Sequence, residues 1–379
     1  MTKAMIAGGG IGGLTAAVAL GCAGVEVAVF ERAEELREIG AGISLWANAT
    51  RTLGELGLYD EVRAAGAAEI GGELRSWQGE MISKIPAADL RARFGDANLA
   101  VHRADLQDVL FSALPAGTVR LGAELVGFVQ NGEGVVARFA DGREEWGDFL
   151  VGADGLHSCV RAQLFGRRAP RYAGYTAWRG IAEGGEGRLP EGVGLNLWGR
   201  GSEFGLVGIG RGRFYWFATK NAPEGDAESA AGRKREVLEL LSGSYGPARE
   251  AVEATGESKI LRNDIYDRDP LRSWGAGWVT LLGDAAHPMT PNLGQGACQA
   301  IEDAVVLARC LRGGISTSLR RYEERRISRT AAVVRRSRLM GRVTQLENPL
   351  LCRLRDAVAK RTSARAQLQQ YEKIARYQA

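Results

Sequence analysis

The sequence predicts an α/β protein with a parallel sheet, a second inserted sheet and helices towards the end of the chain. Residues 3–32, KAMIAGGGIGGLTAAVALGCAGVEVAVFER, have the pattern of a strand, a helix and a second buried strand. A second glycine-rich segment, LLGDAAHPMTPNLGQGACQAIEDA at 281–304, again joins a short apolar strand to a helix. Between them, segments that alternate in polarity, such as RFYWFAT at 213–219, predict the strands of a half-buried sheet.

Composition limits the class of protein. The 379 residues are 45% hydrophobic and 25% charged, which allows two domains or one domain with a large insertion. The five cysteines are widely spaced and lack a C-x-x-C pair, so we expect reduced thiols in a cytoplasmic protein and no metal site. No apolar window reaches the ~18 residues of a membrane-spanning helix.

Positive charge is concentrated in the last sixth of the chain. From Arg320 onward there are 16 Lys and Arg against 5 Asp and Glu, whereas the whole chain has a net charge of +4. The spacing predicts an amphipathic helix with a solvated basic face, and an acidic partner or a membrane surface is the alternative. Sparse aromatic residues and the absence of a recognition motif argue against nucleic acid as a partner.

The first glycine-rich loop predicts a Rossmann-like site for a dinucleotide. Gly8 permits the tight turn, Gly10 lets a pyrophosphate approach the backbone, and Gly13 lets the helix pack close to the strand. Glu31 ends the second strand, where a carboxylate can accept hydrogen bonds from ribose hydroxyls. Arg32 follows, and the sequence does not continue with the regular units of a nicotinamide-binding domain. We therefore expect the dinucleotide to be FAD.

Two further segments carry a resemblance to a known family. They are DFLVGADGLHSCVR at 148–161 and the second glycine-rich segment within its flanks, 277–311. Together with the first loop, they are similar to the three fingerprints of the class A flavoprotein monooxygenases, the p-hydroxybenzoate-hydroxylase-like family. The chain looks most like the branch of salicylate hydroxylase, FAD-dependent urate hydroxylase and zeaxanthin epoxidase. The residues that carry this closer resemblance are 40–58, 171–181, 212–218 and 262–304.

The resemblance implies non-covalent FAD, with NADPH or NADH as a transient electron donor and O₂ as co-substrate. It implies that Asp284 accepts a hydrogen bond from the ribityl chain and that Asp154 lies near the pyrophosphate, with Arg161 as a phosphate partner or in an ion pair. It places a helix N-terminus at the pyrimidine end of the flavin. The remaining residues that it assigns to FAD are Arg103, Gln107, Pro291, Gly294, Gly296 and Ala297.

The resemblance further implies hydroxylation of a small, largely apolar aromatic or heteroaromatic substrate through a flavin C4a-hydroperoxide. Epoxidation of an isoprenoid-like olefin is the alternative, and a non-catalytic flavoprotein that binds a small ligand is an alternative of another class. His287 and Tyr215 are the candidate catalytic residues. Substrate contacts are expected from Leu45, Trp178, Trp198, Glu203 and Tyr215.

Glu203 stands where the urate-hydroxylase-like members have an arginine, and this favours an uncharged or cationic substrate. Arg179 would restore anion binding if its side chain pointed inward. In RFYWFAT, Tyr215 and Trp216 must face opposite sides of the sheet, and the resemblance favours Tyr215 at the flavin.

The expected FAD-binding domain is discontinuous, comprising 1–72, 101–170 and 276–322. The inserted mixed β-sheet substrate domain comprises 73–100 and 171–275, and a helical segment follows at 323–379. We expect a monomer or a homodimer.

Overall fold

The computed structural model describes residues 2–36, 41–68, 71–85, 89, 92–93, 98–184, 189–190, 192–228 and 230–379. The strands are β1 Lys3–Ala7, β2 Glu26–Phe30, β3 Gly42–Leu45, β4 Ala67–Ala68, β5 Gly71–Ser76, β6 Met81–Ile85, β7 Leu99–His102, β8 Val119–Arg120, β9 Leu125–Gln130, β10 Val135–Phe139, β11 Glu144–Gly147, β12 Phe149–Gly152, β13 Arg171–Glu183, β14 Val193–Trp198, β15 Ser202–Gly208, β16 Arg213–Asn221, β17 Leu261–Asp267 and β18 Val279–Leu281. The helices are α1 Ile11–Cys22, α2 Ala47–Glu55, α3 Tyr59–Ala65, α4 Arg103–Ser112, α5 Cys159–Phe165, α6 Arg233–Leu240, α7 Gly246–Glu253, α8 Gly296–Cys310, α9 Ile315–Thr344, α10 Pro349–Arg361 and α11 Ala364–Ala375.

A five-stranded parallel sheet brings the three sequence fingerprints to one edge. Its order is β18-β12-β1-β2-β8, and every neighbouring pair runs parallel. The strands are buried on both faces, as the apolar run of β1 predicts. Because β1, β12 and β18 are adjacent and parallel, the segments that follow them meet at the carboxyl ends of the strands, where ligands of open α/β sheets bind.

A seven-stranded mixed sheet stands beside this edge, in the order β17-β13-β16-β15-β14-β5-β6. One face is buried beneath α6 and α7, with Trp178, Phe204 and Trp216 in its core. We call this the helix face. The other face carries Arg179, Tyr215 and Phe217, and we call it the open face, because these side chains are only half-buried although they lie in mid-sheet.

The structure confirms the α/β class, the inserted mixed sheet and the C-terminal helices. The seven-stranded sheet takes its strands from the segments 71–85 and 171–267, and the division into domains stays a prediction. Smaller antiparallel sheets, β11-β10-β9 and β3-β7-β4, complete the strands. None of the described helices combines the length and the apolar character that crossing a lipid bilayer requires.

Candidate active site

The glycines of the first loop have different physical roles. Gly8 has φ +107° and donates its N–H to Phe30 O at 2.8 Å. A side chain on Gly13 would overlap the carbonyl oxygen of Gly8, so this glycine is required by packing. A Cβ on Gly10, in contrast, would have no described atom within 4 Å. Within the described residues, no side chain caps the N-terminus of α1 at Gly10, so its N–H groups face open space that suits an anion.

Two side chains hold this loop from either side. The Glu31 carboxylate accepts from Gly9 N–H at 2.6 Å and from Ala33 N–H at 3.0 Å. Gln107 donates its Nε2–H to Gly9 O at 2.8 Å. Both predicted FAD ligands therefore also shape the backbone that a pyrophosphate would contact. The contact of Glu31 to a ribose stays a prediction, as do the expected contacts of Gln107 and of the exposed Arg32 to FAD.

Arg103 connects the two glycine-rich segments. It is the first residue of α4, and its guanidinium lies within electrostatic reach of Asp284 and Glu31. Removal from solvent lowers the pKa of Arg103, and the two carboxylates oppose that change. The chain thus places one cation between the two acids that the sequence assigns to the cofactor.

The second glycine-rich segment presents another open helix N-terminus. Gly294 has φ +59°, and Pro291 and Gly294 are exposed. The helix α8 begins at Gly296, where the described residues offer no side-chain cap. A Cβ on Gly296 would lie 4.0 Å from Asp284 Oδ1, so the carboxylate and the helix end border the same space, next to the half-buried Ala297.

The Asp284 side chain is exposed to the space beside the N-terminus of α8. The surrounding protein nevertheless desolvates its carboxyl and raises the pKa, although the charges of His287 and Arg103 act in the opposite direction. A side chain that is both exposed and desolvated lines a narrow cleft, and Asp284 therefore lies in a cleft rather than on the outer surface. Such a carboxylate is placed to accept a hydrogen bond from a ligand hydroxyl.

Asp154 offers a further acceptor to the cleft. Its Oδ2 accepts from Val160 N–H at 3.2 Å, while Oδ1 is buried with no hydrogen-bond partner among the described residues. Desolvation raises the pKa of this carboxyl. Ala153 and Asp154 pack directly against Gly8, so the orphaned oxygen lies beside the first loop and fits a donor from a bound ligand.

Arg161 has a role that the sequence analysis did not predict. Its Nη1 donates to the carbonyl oxygens of Ala285 and Ala286, at 2.9 and 3.0 Å. It therefore braces the turn that carries Asp284, no carboxylate among the described residues pairs with it, and its contact to a phosphate stays a prediction.

His287 is removed from the cleft. Its ring is buried, and Nε2 lies 2.6 Å from Asp303 Oδ2. Asp303 also accepts from Arg326 Nε at 2.6 Å and from Gly283 N–H at 3.0 Å. This placement argues against His287 as a catalytic base and assigns it to a buried charge network that supports the Asp284 turn.

For three predicted substrate contacts, Trp178, Leu45 and Trp198, the structure shows side chains that other parts of the protein cover. Trp178 lies in the core of the helix face, pointing away from the parallel sheet. Leu45 is fully buried in the cluster beneath β3 and α8. The Trp198 ring is covered by the guanidinium of Arg355, 4.9 Å from the ring centroid.

Glu203 is on the open face by register but is not open to a ligand. It is 4% exposed, and its carboxylate accepts from Asn196 Nδ2 at 3.1 Å. Desolvation raises the pKa of Glu203, with Asn196 and other polar neighbours opposing it. Beside it, Tyr175 donates its hydroxyl to Asn292 Oδ1 at 2.9 Å, which ties the sheet to the 291–293 turn.

Tyr215 and Trp216 face opposite sides, as predicted. Trp216 is buried in the helix face and donates Nε1–H to Thr255 Oγ1 at 2.8 Å. Tyr215 lies on the open face against Gly42 of β3, within electrostatic reach of Arg179. Desolvation raises the pKa of the Tyr215 hydroxyl, and the positive charge of Arg179 opposes this.

Comparison with known proteins identifies the family. The profile of a family described as FAD binding domain matches residues 1–337. The chain belongs to this family and, within it, to the class A flavoprotein monooxygenases. It is an FAD-dependent oxidoreductase, so the non-catalytic alternative is set aside.

The monooxygenase has close relatives over nearly its whole length. Aurachin C monooxygenase/isomerase of Stigmatella aurantiaca is 46% identical over 362 residues, covering 95% of this chain and 94% of the relative. FAD-dependent urate hydroxylase of Klebsiella pneumoniae is 34% identical over 345 residues, covering 89% and 88%. The crystal structure of Klebsiella pneumoniae HpxO complexed with FAD and uric acid superposes with a TM-score of 0.93 at 31% identity, covering 99% of this chain and 96% of that one.

Sequence analysis missed Phe217 on the open face and the contact of Trp46 with the C-terminal helices. Phe217 lies on the open face, with its ring over Gly205, where only a glycine leaves room for it. The two-residue period of β16 would have placed Phe217 with Tyr215. Trp46, beside Gly294, stacks on Tyr371 of α11 with centroids 3.9 Å apart. No local signal in the sequence links these two distant residues.

Proposed function

We propose that the monooxygenase hydroxylates a small, largely apolar aromatic or heteroaromatic compound, with NADPH or NADH as electron donor and O₂ as co-substrate. The observation that carries the proposal is the open face, where Arg179, Tyr215 and Phe217 stay half-buried in mid-sheet. The residues on the reverse of the same strands are fully covered. A flat aromatic ring would fill this gap and stack on the aromatic side chains.

The residues of the cleft fit FAD, with Gly10 and Asp154 at the pyrophosphate, and Asp284 with the N-terminus of α8 at the flavin. Bound and reduced FAD supplies the activation of O₂. The open N-terminus of α8 favours negative charge at the adjacent end of the ring. The aromatic wall of Tyr215 and Phe217 excludes water from the reacting face.

The position of Arg179 favours a substrate that carries a hydrogen-bond acceptor, in place of the uncharged or cationic substrate that Glu203 suggested. Among the described residues no carboxylate pairs with Arg179, whereas the Glu203 side chain is buried and its carboxylate accepts from Asn196 Nδ2, so it is not presented to a ligand on this face. The repulsion of anions that Glu203 suggested therefore loses its basis. We infer a substrate with an apolar ring and one acceptor group, neutral or anionic, that accepts a hydrogen bond from Arg179.

The test measures flavin absorbance changes and the rate of flavin reduction by NADPH across paired aromatic compounds with and without an acceptor group. Arg179→Gln should weaken the acceptor-bearing members about 10- to 100-fold, the loss of a charge-assisted hydrogen bond. Glu203→Gln is the matched control on the same face and should change affinity little. A panel that binds equally to wild type and Arg179→Gln would contradict the polar contact. If no compound perturbs the flavin, the aromatic substrate class is wrong.

Epoxidation of an olefin remains the second candidate. Zeaxanthin epoxidase of Oryza sativa is a relative at 35% identity, although the matched region covers only 56% of its length. Because both reactions use the same cofactor residues, product analysis with an aromatic and an olefinic substrate discriminates them.

A further inference from the structure

The helix α10 carries an apolar stripe on its outer surface. Leu350, Leu351, Leu354 and Val358 are 70%, 48%, 60% and 57% exposed. Positions 350, 354 and 358 lie on successive turns, and 351 lies beside them, so the four side chains form one continuous face, the α10 stripe. Single exposed apolar residues are ordinary, but a contiguous group of four on one short helix calls for a partner.

The opposite face of α10 is firmly attached to the body of the protein. Arg355 is buried and donates to Thr344 O at 3.2 Å and to Gly199 O at 3.1 Å. Cys352 is buried on the same side. The orientation of the stripe is therefore set by packing, and the helix cannot turn its leucines inward without losing these contacts.

Basic side chains border the stripe. Arg353 and Lys360 are seven residues apart, so they lie on one flank of the helix, and Lys360 is also 3.9 Å from Glu80. Arg361 ends the helix one turn beyond Val358, and all three basic side chains are exposed. The helix contains one acid, Asp356, which already accepts from Arg355 Nε at 2.8 Å. An apolar face bordered by exposed cations matches a lipid surface, where acyl chains take the leucines and anionic headgroups meet the cations.

The basic residues of α10 also argue against a dimer that forms through the stripe. An isologous dimer through the stripe would bring Arg353 and Arg361 of both copies together, and the nearby acids are already paired, Asp356 with Arg355 and Glu80 with Lys360. The 13 residues of α10 extend about 20 Å, so the helix lies in the plane of a surface and does not enter the bilayer end-on. We propose that α10 docks this monooxygenase onto membranes that contain anionic lipid.

Docking by α10 would bring the substrate side of the enzyme to the membrane. Both α10 and α11 pack on β6, and α11 carries Tyr371, which stacks on Trp46 next to Gly294. An apolar substrate would then reach the open face directly from the lipid. The surface itself goes beyond the proposed function and does not depend on the identity of the substrate.

The experiment is co-sedimentation of the FAD-loaded enzyme with vesicles of phosphatidylcholine and phosphatidylglycerol, and with vesicles of phosphatidylcholine alone. The wild type should sediment with the anionic vesicles and far less with the neutral ones. The double variant Leu350→Ser and Leu354→Ser should partition at least about tenfold more weakly, because two leucines leave the acyl region. Val126→Ser, a 53% exposed position on β9, is the matched control and should behave as wild type. An unchanged flavin spectrum in each variant shows that the fold is retained.

Failure of the wild type to sediment with the anionic vesicles overturns the proposal. Sedimentation velocity then distinguishes the reasons. A dimer that the double variant dissociates would make the stripe an interface between copies. A monomer for both proteins would make it a solvated face.

Discussion

Adding a methyl group at Gly10 should separate cofactor binding from folding. Gly10 has φ −74° and ψ 179°, which alanine adopts without strain, and a Cβ there meets no described atom within 4 Å. Alanine lowers the entropy of the unfolded chain by about 0.4–1 kcal/mol but is a poorer N-cap by a similar amount. We therefore expect the free energy of unfolding of Gly10→Ala apoprotein to stay within about 1 kcal/mol of wild type.

The added methyl group of Gly10→Ala lies where the pyrophosphate would meet the N-terminus of α1. Overpacking of this size costs about 1–3 kcal/mol, which corresponds to about a 5- to 150-fold loss of FAD affinity. The assay titrates apoprotein with FAD and follows the quenching of flavin fluorescence, while thermal unfolding of the same apoprotein reports stability.

Gly13→Ala is the contrasting variant. Its Cβ would come more than about 1 Å closer to Gly8 O than Cβ contacts in proteins allow, so α1 must move away from β1 at a cost of about 1–3 kcal/mol or more. This loss should appear in the apoprotein, without any FAD. Full FAD affinity in Gly10→Ala would refute the placement of the pyrophosphate, and equal destabilisation by both variants would refute the distinction between the two glycines.

The remaining predictions concern the acids of the second segment. Asp303→Ala should lower the free energy of unfolding by about 3–5 kcal/mol, because it leaves the buried Arg326 and His287 without their shared partner. Asp284→Ala should instead lower FAD affinity. Thermal unfolding should therefore rank Asp303→Ala as the more damaging variant, and FAD titration should rank Asp284→Ala as the more damaging one. Burial raises the pKa of Asp303, but the charges of His287 and Arg326 outweigh it and the pKa is lowered. Its contribution to stability is thus present above the usual pKa of an aspartate, about 4, and is lost as the pH falls below that value. In acid titrations of unfolding, Asp303→Asn should show a shallower loss than wild type, and an identical slope would contradict this assignment.

The geometry of the glycine-rich loops was largely readable from the sequence, because its determinants are local. A glycine at Gly8 or Gly13 reflects a turn or a close approach within one strand–loop–helix unit. The order of three such units along the chain then predicts that their loops meet at one sheet edge. The substrate half was read less well, because which face of a strand is covered depends on distant elements. Trp178 was assigned to the substrate, but α6 and α7 cover its side of the sheet.

The pairing of charged side chains likewise depends on contacts between residues that are distant in the sequence. The sequence located Asp284, Asp303 and His287 within one segment. It could not show that Asp303 forms a buried ion pair with Arg326 of α9 and also binds the ring of His287.

The sequence by itself determined the α/β class, the glycine-rich strand–loop–helix segments and the monooxygenase family, since strand–loop–helix geometry depends on residues close together in the chain. Only the tertiary structure decided that Arg179 and Phe217 lie half-buried on the open face, that Glu203 is buried, and that α10 presents its leucines to solvent. Those outcomes depend on which surfaces pack against one another over long separations, and the burial and desolvation that result set both the exposure and the charge of each side chain.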